Sequence, residues 1–328
     1  MKAAIVQDPH HPPFFGEIDA PQPSAGDIRI SVSAAALSHL VRSRASGRHY
    51  STSGRVASVA GVDGVGRRDD GSRVYFVLPK APNGSMAEKA VVAPAQCIVL
   101  PDELDDVTAA AIANPGMSSW AALTERARLK SGETVLVNGA TGVSGRLAVQ
   151  VAKYLGAGKI IATGRNARAL QEVSALGADV TIPLVDDGDA LERSFKPVFA
   201  EGVDVVLDYL WGQSAERLLI AAARAGADAV PIRYVEIGGA SGQEITLPGA
   251  VLRSSAIELM GSGIGSIPLT RLIKAIEGVL YAAVPGGFKI ATRPVPLSDV
   301  EQAWLDPTPG GRIVFITHPE ASQERSTN

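Results

Sequence analysis

Apolar positions change their rhythm twice along this chain. In the first hundred residues they form short runs, some alternating: 2–6, Ile28-Arg-Ile-Ser-Val32, 74–78 and 90–92. Alternation with period two gives a strand one buried face. Pro9, Pro12, Pro13, Pro21, Pro23, Gly26 and Gly71 punctuate these runs, so the region predicts a small β-rich, barrel-like module. From about Thr108 the texture changes. β-branched runs at 135–137, 159–163, 180–182, 203–207, 234–237 and 257–260 alternate with helical patterns at 146–155, 167–176, 190–200, 214–225 and 269–280. Strand–helix alternation predicts a parallel sheet covered on both faces. Its crossovers bring the strands' carboxyl ends to one edge, where a ligand binds. After Gly286 strands return at 289–295 and 312–316, around a helix opened by Leu297-Ser-Asp-Val-Glu with Ser298 as N-cap. The expected organisation is a discontinuous domain of residues 1–114 and 286–328 enclosing an α/β domain of residues 115–285.

The most informative junction lies after the run 135–137. Gly139, Ala140, Thr141, Gly142, Val143, Ser144 and Gly145 link it to a helical pattern with Leu147, Val149, Val151, Ala152 and Leu155 on its apolar positions. A strand, a glycine turn and a helix in this order suit a dinucleotide. Small residues let the backbone approach the diphosphate, and the helix N-terminus offers free N–H groups and a favourable dipole. The second strand, 159–163, is followed by Gly164-Arg165-Asn166. An NAD enzyme usually carries an acidic residue there, about 20 residues beyond the turn, to hold the ribose 2′-hydroxyl. Here no carboxylate opposes a 2′-phosphate, and the planar fork of Arg165 suits one, with Arg168 close by. NADPH is therefore expected rather than NADH; the alternative is that Arg165 is only a solvent-facing residue before the next helix.

Bulk properties narrow the classes. Hydrophobic residues make up 46% of the 328 and charged residues 20%, as in a water-soluble globular protein. A net charge of -3 and a pI near 6.0 argue against a nucleic-acid partner. The stretch from Arg42 to Arg73, with seven arginines, no lysine and three aspartates, reads as a solvated loop face, with a polyanion site as the alternative. Cys97 is the single cysteine, which forbids an intrachain disulfide and a four-cysteine zinc site. The N-terminus lacks the form of a signal peptide, and no run approaches the roughly 18 apolar residues of a membrane span. A cytoplasmic enzyme is expected.

Several longer motifs carry a family likeness. Gly132-Glu-Thr-Val-Leu-Val137, the 139–145 turn, Leu147-Ala-Val-Gln-Val-Ala-Lys-Tyr-Leu-Gly156 and Leu176-Gly-Ala-Asp179 resemble the medium-chain dehydrogenase/reductases, most closely the zinc-independent quinone oxidoreductases. Gly26-Asp-Ile-Arg-Ile-Ser-Val32, Leu100-Pro-Asp102, Gly202-Val-Asp-Val-Val-Leu-Asp208 and Glu236-Ile-Gly-Gly239 extend the likeness. It implies a GroES-like catalytic domain beside a Rossmann doubly wound parallel sheet, with substrate entering between them. It also implies a homodimer paired through the strand 257–260. Ile237, Gly238 and Gly239 would continue the NADPH site. Ser262 and Gly263 resemble a segment near the nicotinamide or the dimer seam, and Ser118 corresponds to a threonine that approaches the cofactor. Tyr209 and Trp211 would wall the nicotinamide ribose, with simple packing as the alternative.

The family's zinc alcohol dehydrogenases supply a contrast. By that resemblance their metal-ligand positions fall at Ser38, Val62 and Asn114. Serine, valine and asparagine cannot replace two thiolates and an imidazole around tetrahedral zinc. Without a Lewis acid, reduction of a quinone or an α,β-unsaturated carbonyl is easier than that of an unactivated ketone. Hydrogen-bond donors would then stabilise the developing oxyanion. The resemblance offers Ser38, Asn114 and Tyr50, although one additional residue precedes Tyr50 relative to the enoyl-reductase pattern. His39 and His49 read as structural, and Arg233 could lie deep in the cleft with no partner evident. The rival readings are a cofactor-binding protein with little catalysis (a sensor, a crystallin-like protein or an RNA binder) and an alcohol dehydrogenase.

Overall fold

The computed structural model describes residues 1–47, 59–306 and 311–317. The chain divides into two compact units, Met1–Asn114 with Ile290–Asn328, and Pro115–Lys289.

In the first unit the long strand Ile28–Ala36 is central, pairing antiparallel with Asp63–Arg68, Lys89–Val92 and Arg312–Ile316. Arg73–Val77 and Cys97–Val99 extend the sheet on one side, and Thr292–Pro296 joins it parallel to Arg312–Ile316 on the other. Lys2–Ile5 and Phe14–Glu17 form a separate antiparallel pair. Ile30 and Val32 alternate into one apolar cluster with Val74, Phe76, Ala90 and Val92. A register shift between Val32 and Ala34 bends the strand, and Ala35 reaches a second cluster with Val62, Met86 and Phe315. Bulges of this kind let one strand serve two cores.

Two expectations near the C-terminus need correction. The strand begins at Thr292 rather than at 289. Ser298 does not cap the following helix: Leu297–Asp299 is a 3₁₀ turn, the α-helix runs Val300–Leu305, and the Ser298 hydroxyl bonds Asp299 Oδ1 at 3.0 Å. Tightening the first turn places Asp299 at the cap position.

The helix Asp106–Ala121, continued by a π-turn over Ala122–Arg126, has no clear signature in the sequence. Ala109, Ala110, Ala111, Ile112 and Ala113 are all buried, so no polar face sets an amphipathic period, and Pro115 interrupts its interior.

The second unit holds six parallel strands and their crossover helices. In chain order they are β1 (Thr134–Asn138), α1 (Val143–Tyr154), β2 (Lys159–Gly164), α2 (Ala167–Ala175), β3 (Val180–Pro183) and α3 (Gly188–Glu201). Then come β4 (Val205–Asp208), α4 (Gly212–Ala225), β5 (Ile232–Glu236), α5 (Gly249–Arg253), β6 (Ile257–Gly261) and α6 (Leu269–Ala282). The sheet order is β3-β2-β1-β4-β5-β6, all parallel. This is the Rossmann order, and it reverses direction between β1 and β4, where a crevice opens at the carboxyl edge. One face packs Leu136, Ile161, Val206 and Tyr234 against Phe195, Phe199, Leu218 and Leu219. Each such side chain contributes roughly 1.5–3 kcal/mol on burial, so the edge loops stand on a rigid base. Among the described residues no helix is long and apolar enough to cross a membrane.

Candidate functional site

The glycine turn lies at the reversal point. Gly139 has φ +87°, a left-handed conformation that costs a side chain dearly, and a Cβ there would also strike Leu210 at 2.8 Å. A Cβ on Gly145 would collide with the Gly139 carbonyl oxygen and Ala140 Cα. The first turn of α1 therefore packs directly on the backbone of the strand exit. Gly142, the N-cap of α1, provides no side-chain cap, so the first-turn amides keep their donor capacity for a ligand. Thr141 and Ser144 are half-buried, and Gly142 and Val143 are exposed. Arg146 braces the turn by donating from Nε to the Thr141 carbonyl at 3.0 Å, while its Nη2 pairs with Glu172 at 2.7 Å.

Beneath the turn runs a buried polar network that sequence reading did not identify. Asp208, at the end of β4, is fully buried. Its Oδ1 accepts from Asn138 Nδ2 at 2.8 Å and from the Leu210 and Trp211 amides at 2.9 and 3.2 Å; its Oδ2 accepts from the Tyr234 hydroxyl at 2.7 Å. Asn138 also donates to Ser214 Oγ at 3.0 Å, and its Oδ1 accepts from Thr163 Oγ1 at 2.7 Å. Thr163 in turn accepts from the Gly139 amide at 3.1 Å. Burial pushes the Asp208 carboxyl above the usual carboxylate range, with its four donors pulling against it. The Tyr234 hydroxyl rises well above its ordinary value through burial and then the adjacent Asp208 charge. The network ties the ends of β2, β1, β4 and β5 into one unit that fixes the glycine turn. Its only sequence trace is that Asn138 and Asp208 each end an apolar run directly before a turn.

Other exits converge on the same edge. A Cβ on Gly164 would clash with Thr141 Cγ2, so the end of β2 touches the glycine turn. Arg165 and Asn166 are exposed beyond it. Asn166 is the N-cap of α2, its Oδ1 accepting from the Ala169 amide at 2.9 Å. Arg168 pairs with Glu172 at 3.7 Å and is 90% exposed, whereas Arg165 forms no ion pair among the described residues. From β5, the Ile237 and Gly238 amides donate to the Asp208 carbonyl at 2.8 and 3.2 Å, and Gly239 follows them into a tight loop. The Ser262 amide donates to the Glu236 carbonyl at 2.8 Å, and Gly263 begins a turn closed by Ser266. Burial, then the charge of Asp208, raises the Glu236 carboxyl.

Ser118 and Tyr209 do meet: their hydroxyls lie 3.2 Å apart, and Ser118 also donates to the Pro115 carbonyl at 2.7 Å. Burial pushes Tyr209 up to about 12, so it remains a neutral phenol at physiological pH. Trp211 packs against the apolar core beside α4, in an unusual backbone conformation with φ 55°. A strained non-glycine residue at a strand exit costs about 1–3 kcal/mol, and the bond from its amide to Asp208 offsets part of that.

The remaining candidates belong to the other end of the parallel sheet or to the first unit. Arg233 has partners: Glu133 at 2.8 Å and the Ala127 carbonyl at 2.7 Å. It sits toward the amino-terminal end of β5, away from the glycine turn, which corrects its placement deep in the site. In the first unit Ser38 caps the helix His39–Ala45, its Oγ accepting from the Val41 amide at 3.1 Å, and Val62 lies in the apolar core. Asn114 is half-buried, four residues before Ser118 on the Asp106–Ala121 helix. Tyr50 and His49 lie outside the described residues, as does part of the arginine-rich stretch. Of its described members, Arg73 pairs with Asp106 at 2.7 Å and Arg67 donates to the Gly71 carbonyl at 3.0 Å. Cys97 is partly exposed, and desolvation raises its thiol. Among the described residues no three His, Cys, Asp or Glu side chains are grouped to hold a metal ion.

Comparison with known proteins identifies the class. Residues 144–279, all within the second unit, match the family profile described as zinc-binding dehydrogenase. A probable NADPH-dependent quinone reductase of Emericella nidulans is 30% identical, over 96% of this chain and 100% of that protein. The quinone oxidoreductase of Lama guanicoe is 27% identical over 92% of both chains. Among solved structures, the quinone oxidoreductase of Thermus thermophilus shares the fold with a TM-score of 0.78 at 24% identity, over 96% of this chain and 100% of that one. The chain belongs to the medium-chain dehydrogenase/reductase superfamily, in its quinone oxidoreductase branch, and is an oxidoreductase.

Proposed function

We propose that the protein is an NADPH-dependent, zinc-independent oxidoreductase that reduces a quinone or an α,β-unsaturated carbonyl. One observation carries this reading: at the reversal point of the sheet, Gly139 and Gly145 leave a cradle that a Cβ would fill, and the only guanidinium at the β2 exit without a carboxylate partner, among the described residues, is Arg165. The backbone of Gly139, Ala140, Thr141, Gly142, Val143, Ser144 and Gly145 would hold the diphosphate, and Arg165 beside Gly164 the 2′-phosphate. Tyr209, Ile237, Gly238, Gly239, Ser262 and Gly263 would line the rest of the dinucleotide, with Ser118 fixing the Tyr209 hydroxyl.

When bound, NADPH supplies a hydride; with one proton taken up, a quinone leaves as hydroquinone and an enone as the saturated ketone. The chain's own residues orient the substrate and stabilise negative charge on its oxygen. Ser38 accepts the Val41 amide and keeps its own O–H free to donate, and Asn114 offers an amide N–H. Tyr50 or water would deliver the proton. Serine, valine and asparagine do not fit catalytic zinc, and the matched zinc-binding dehydrogenase profile covers none of these three positions. A homodimer through β6 is part of the proposal, because among the described residues this strand is the last in its sheet and Leu259 on it is 40% exposed.

The test is turnover of purified protein on a panel of quinones and enones with NADPH, beside metal analysis. NADPH oxidation without stoichiometric zinc is expected. Absence of turnover across the panel, or one zinc per chain, would refute the reading.

A further inference from the structure

We infer that Ser241 is a second specificity-determining residue for the nucleotide, acting with Arg165 as a clasp on the 2′-phosphate. The inference rests on the NADPH reading above and adds to it a loop from the far side of the sheet.

Arg165 follows β2 and Ser241 follows β5, so β1 and β4 lie between their parent strands. Even so, Arg165 Nη2 donates to Ser241 Oγ at 3.5 Å. The loop after β5 crosses back over the β4 exit to achieve this, and it is firmly held there. The Ser241 amide donates to the Leu210 carbonyl at 2.7 Å, and the Ala240 amide to the Tyr209 carbonyl at 3.2 Å. Gln243 Nε2 closes the loop on the Gly239 carbonyl at 3.1 Å. The absence of a side chain at Gly212 matters as well: a Cβ there would lie 3.1 Å from the Ser241 carbonyl oxygen and 3.4 Å from Gly242 Cα. Ser241 is thus positioned by backbone contacts rather than by chance rotation of a free loop.

The chemistry of the pair points to an anion. Arg165 has no carboxylate partner among the described residues, while Arg146 and Arg168 share Glu172. A serine hydroxyl that accepts from a guanidinium still has its own proton to donate. Guanidinium and hydroxyl, both exposed and 3.5 Å apart, can therefore each offer a donor to one anion, a pairing suited to a phosphate dianion. A ribose 2′-hydroxyl in the same place carries no charge for the guanidinium to pair with and forms only neutral bonds with Ser241, so the clasp discriminates between nucleotides rather than tightening both.

Dissociation constants for NADPH and NADH, by titration calorimetry on the full-length protein, test this in the wild type and in Ser241→Ala, Ser241→Thr and Arg165→Ala. Ser241→Ala should weaken NADPH about tenfold, the size of a lost bond to a charged group, and leave NADH within about twofold. Ser241→Thr keeps the hydroxyl and should restore NADPH binding. A wild type without preference for NADPH would overturn the cofactor reading and the clasp together. If Arg165→Ala abolishes a wild-type preference that Ser241→Ala preserves, the clasp alone fails. Equal weakening of both nucleotides by Ser241→Ala would also overturn it, because that marks a purely structural role.

Discussion

Two buried aspartates, each bonded to a buried tyrosine, sit in the two units and behave differently. Asp208, in the parallel sheet, is satisfied by four donors from β1, β5 and its own exit loop. Asp63, in the first unit, is 3% exposed and accepts the Tyr75 hydroxyl on Oδ2, while its Oδ1 has no hydrogen-bond partner among the described residues. Burial, opposed by the Tyr75 bond and by the charge of Arg312, brings Asp63 up to about 6. The contrast shows what a buried carboxylate can be used for. Burial raises both carboxyls, but the fully paired one organises the loops around it, whereas the half-paired one has a single bond to set against that cost.

Removing the organiser should produce the largest effect. Asp208→Ala strips partners from Asn138, Tyr234 and two amides at once, and we expect a stability loss of about 4 kcal/mol, read from urea unfolding, with NADPH binding impaired in the folded fraction. A loss below about 1 kcal/mol would mean that the network is not cooperative.

The next test concerns the pH cost at Asp63. Its folded pKa lies above the unfolded value of 3.8, so its favourable contribution is complete below pH 4 and disappears as pH rises through about 6. At about 1.4 kcal/mol per unit this amounts to roughly 3 kcal/mol. Asp63→Asn should therefore gain on the wild type by about that amount between pH 4 and pH 7, whatever its absolute stability. Parallel stability–pH curves would contradict the assignment.

The glycine turn above Asp208 should be less costly to disturb. Gly145→Ala must displace the Gly139 carbonyl and Ala140; a destabilisation of about 2 kcal/mol and at least tenfold weaker NADPH binding should follow, with melting and titration as the measurements. The smallest effect is expected from Tyr209→Phe, which removes the hydroxyl that meets Ser118: about 1 kcal/mol in the same unfolding assay.

The sequence made some of this legible and concealed the rest for physical reasons. Parallel strands buried on both faces leave uninterrupted apolar runs, so β1, β2 and β4 could be read directly, as could the glycine turn that must follow β1; β3, β5 and β6 were read from their place in the strand–helix alternation. Arg165 was singled out because the position after the second strand has a defined chemical task in proteins that bind a dinucleotide. Asp208, Asn138, Thr163 and Tyr234 escaped notice because they are up to 96 positions apart in the chain (234 − 138) and meet only through the sheet order. The Asp106–Ala121 helix escaped because it is apolar without periodicity. Ser38 was read by its metal-ligand position, although a serine three residues before Val41 is also an ordinary helix cap.

The central claim is that the carboxyl edge of the parallel sheet holds a 2′-phosphorylated dinucleotide through Arg165. Comparing NADPH and NADH affinities of the wild type and Arg165→Ala tests it most directly. At least tenfold tighter NADPH binding in the wild type, falling to parity in the variant, is the predicted result. Equal affinity for the two nucleotides in the wild type, or an NADPH preference untouched by the substitution, would contradict it.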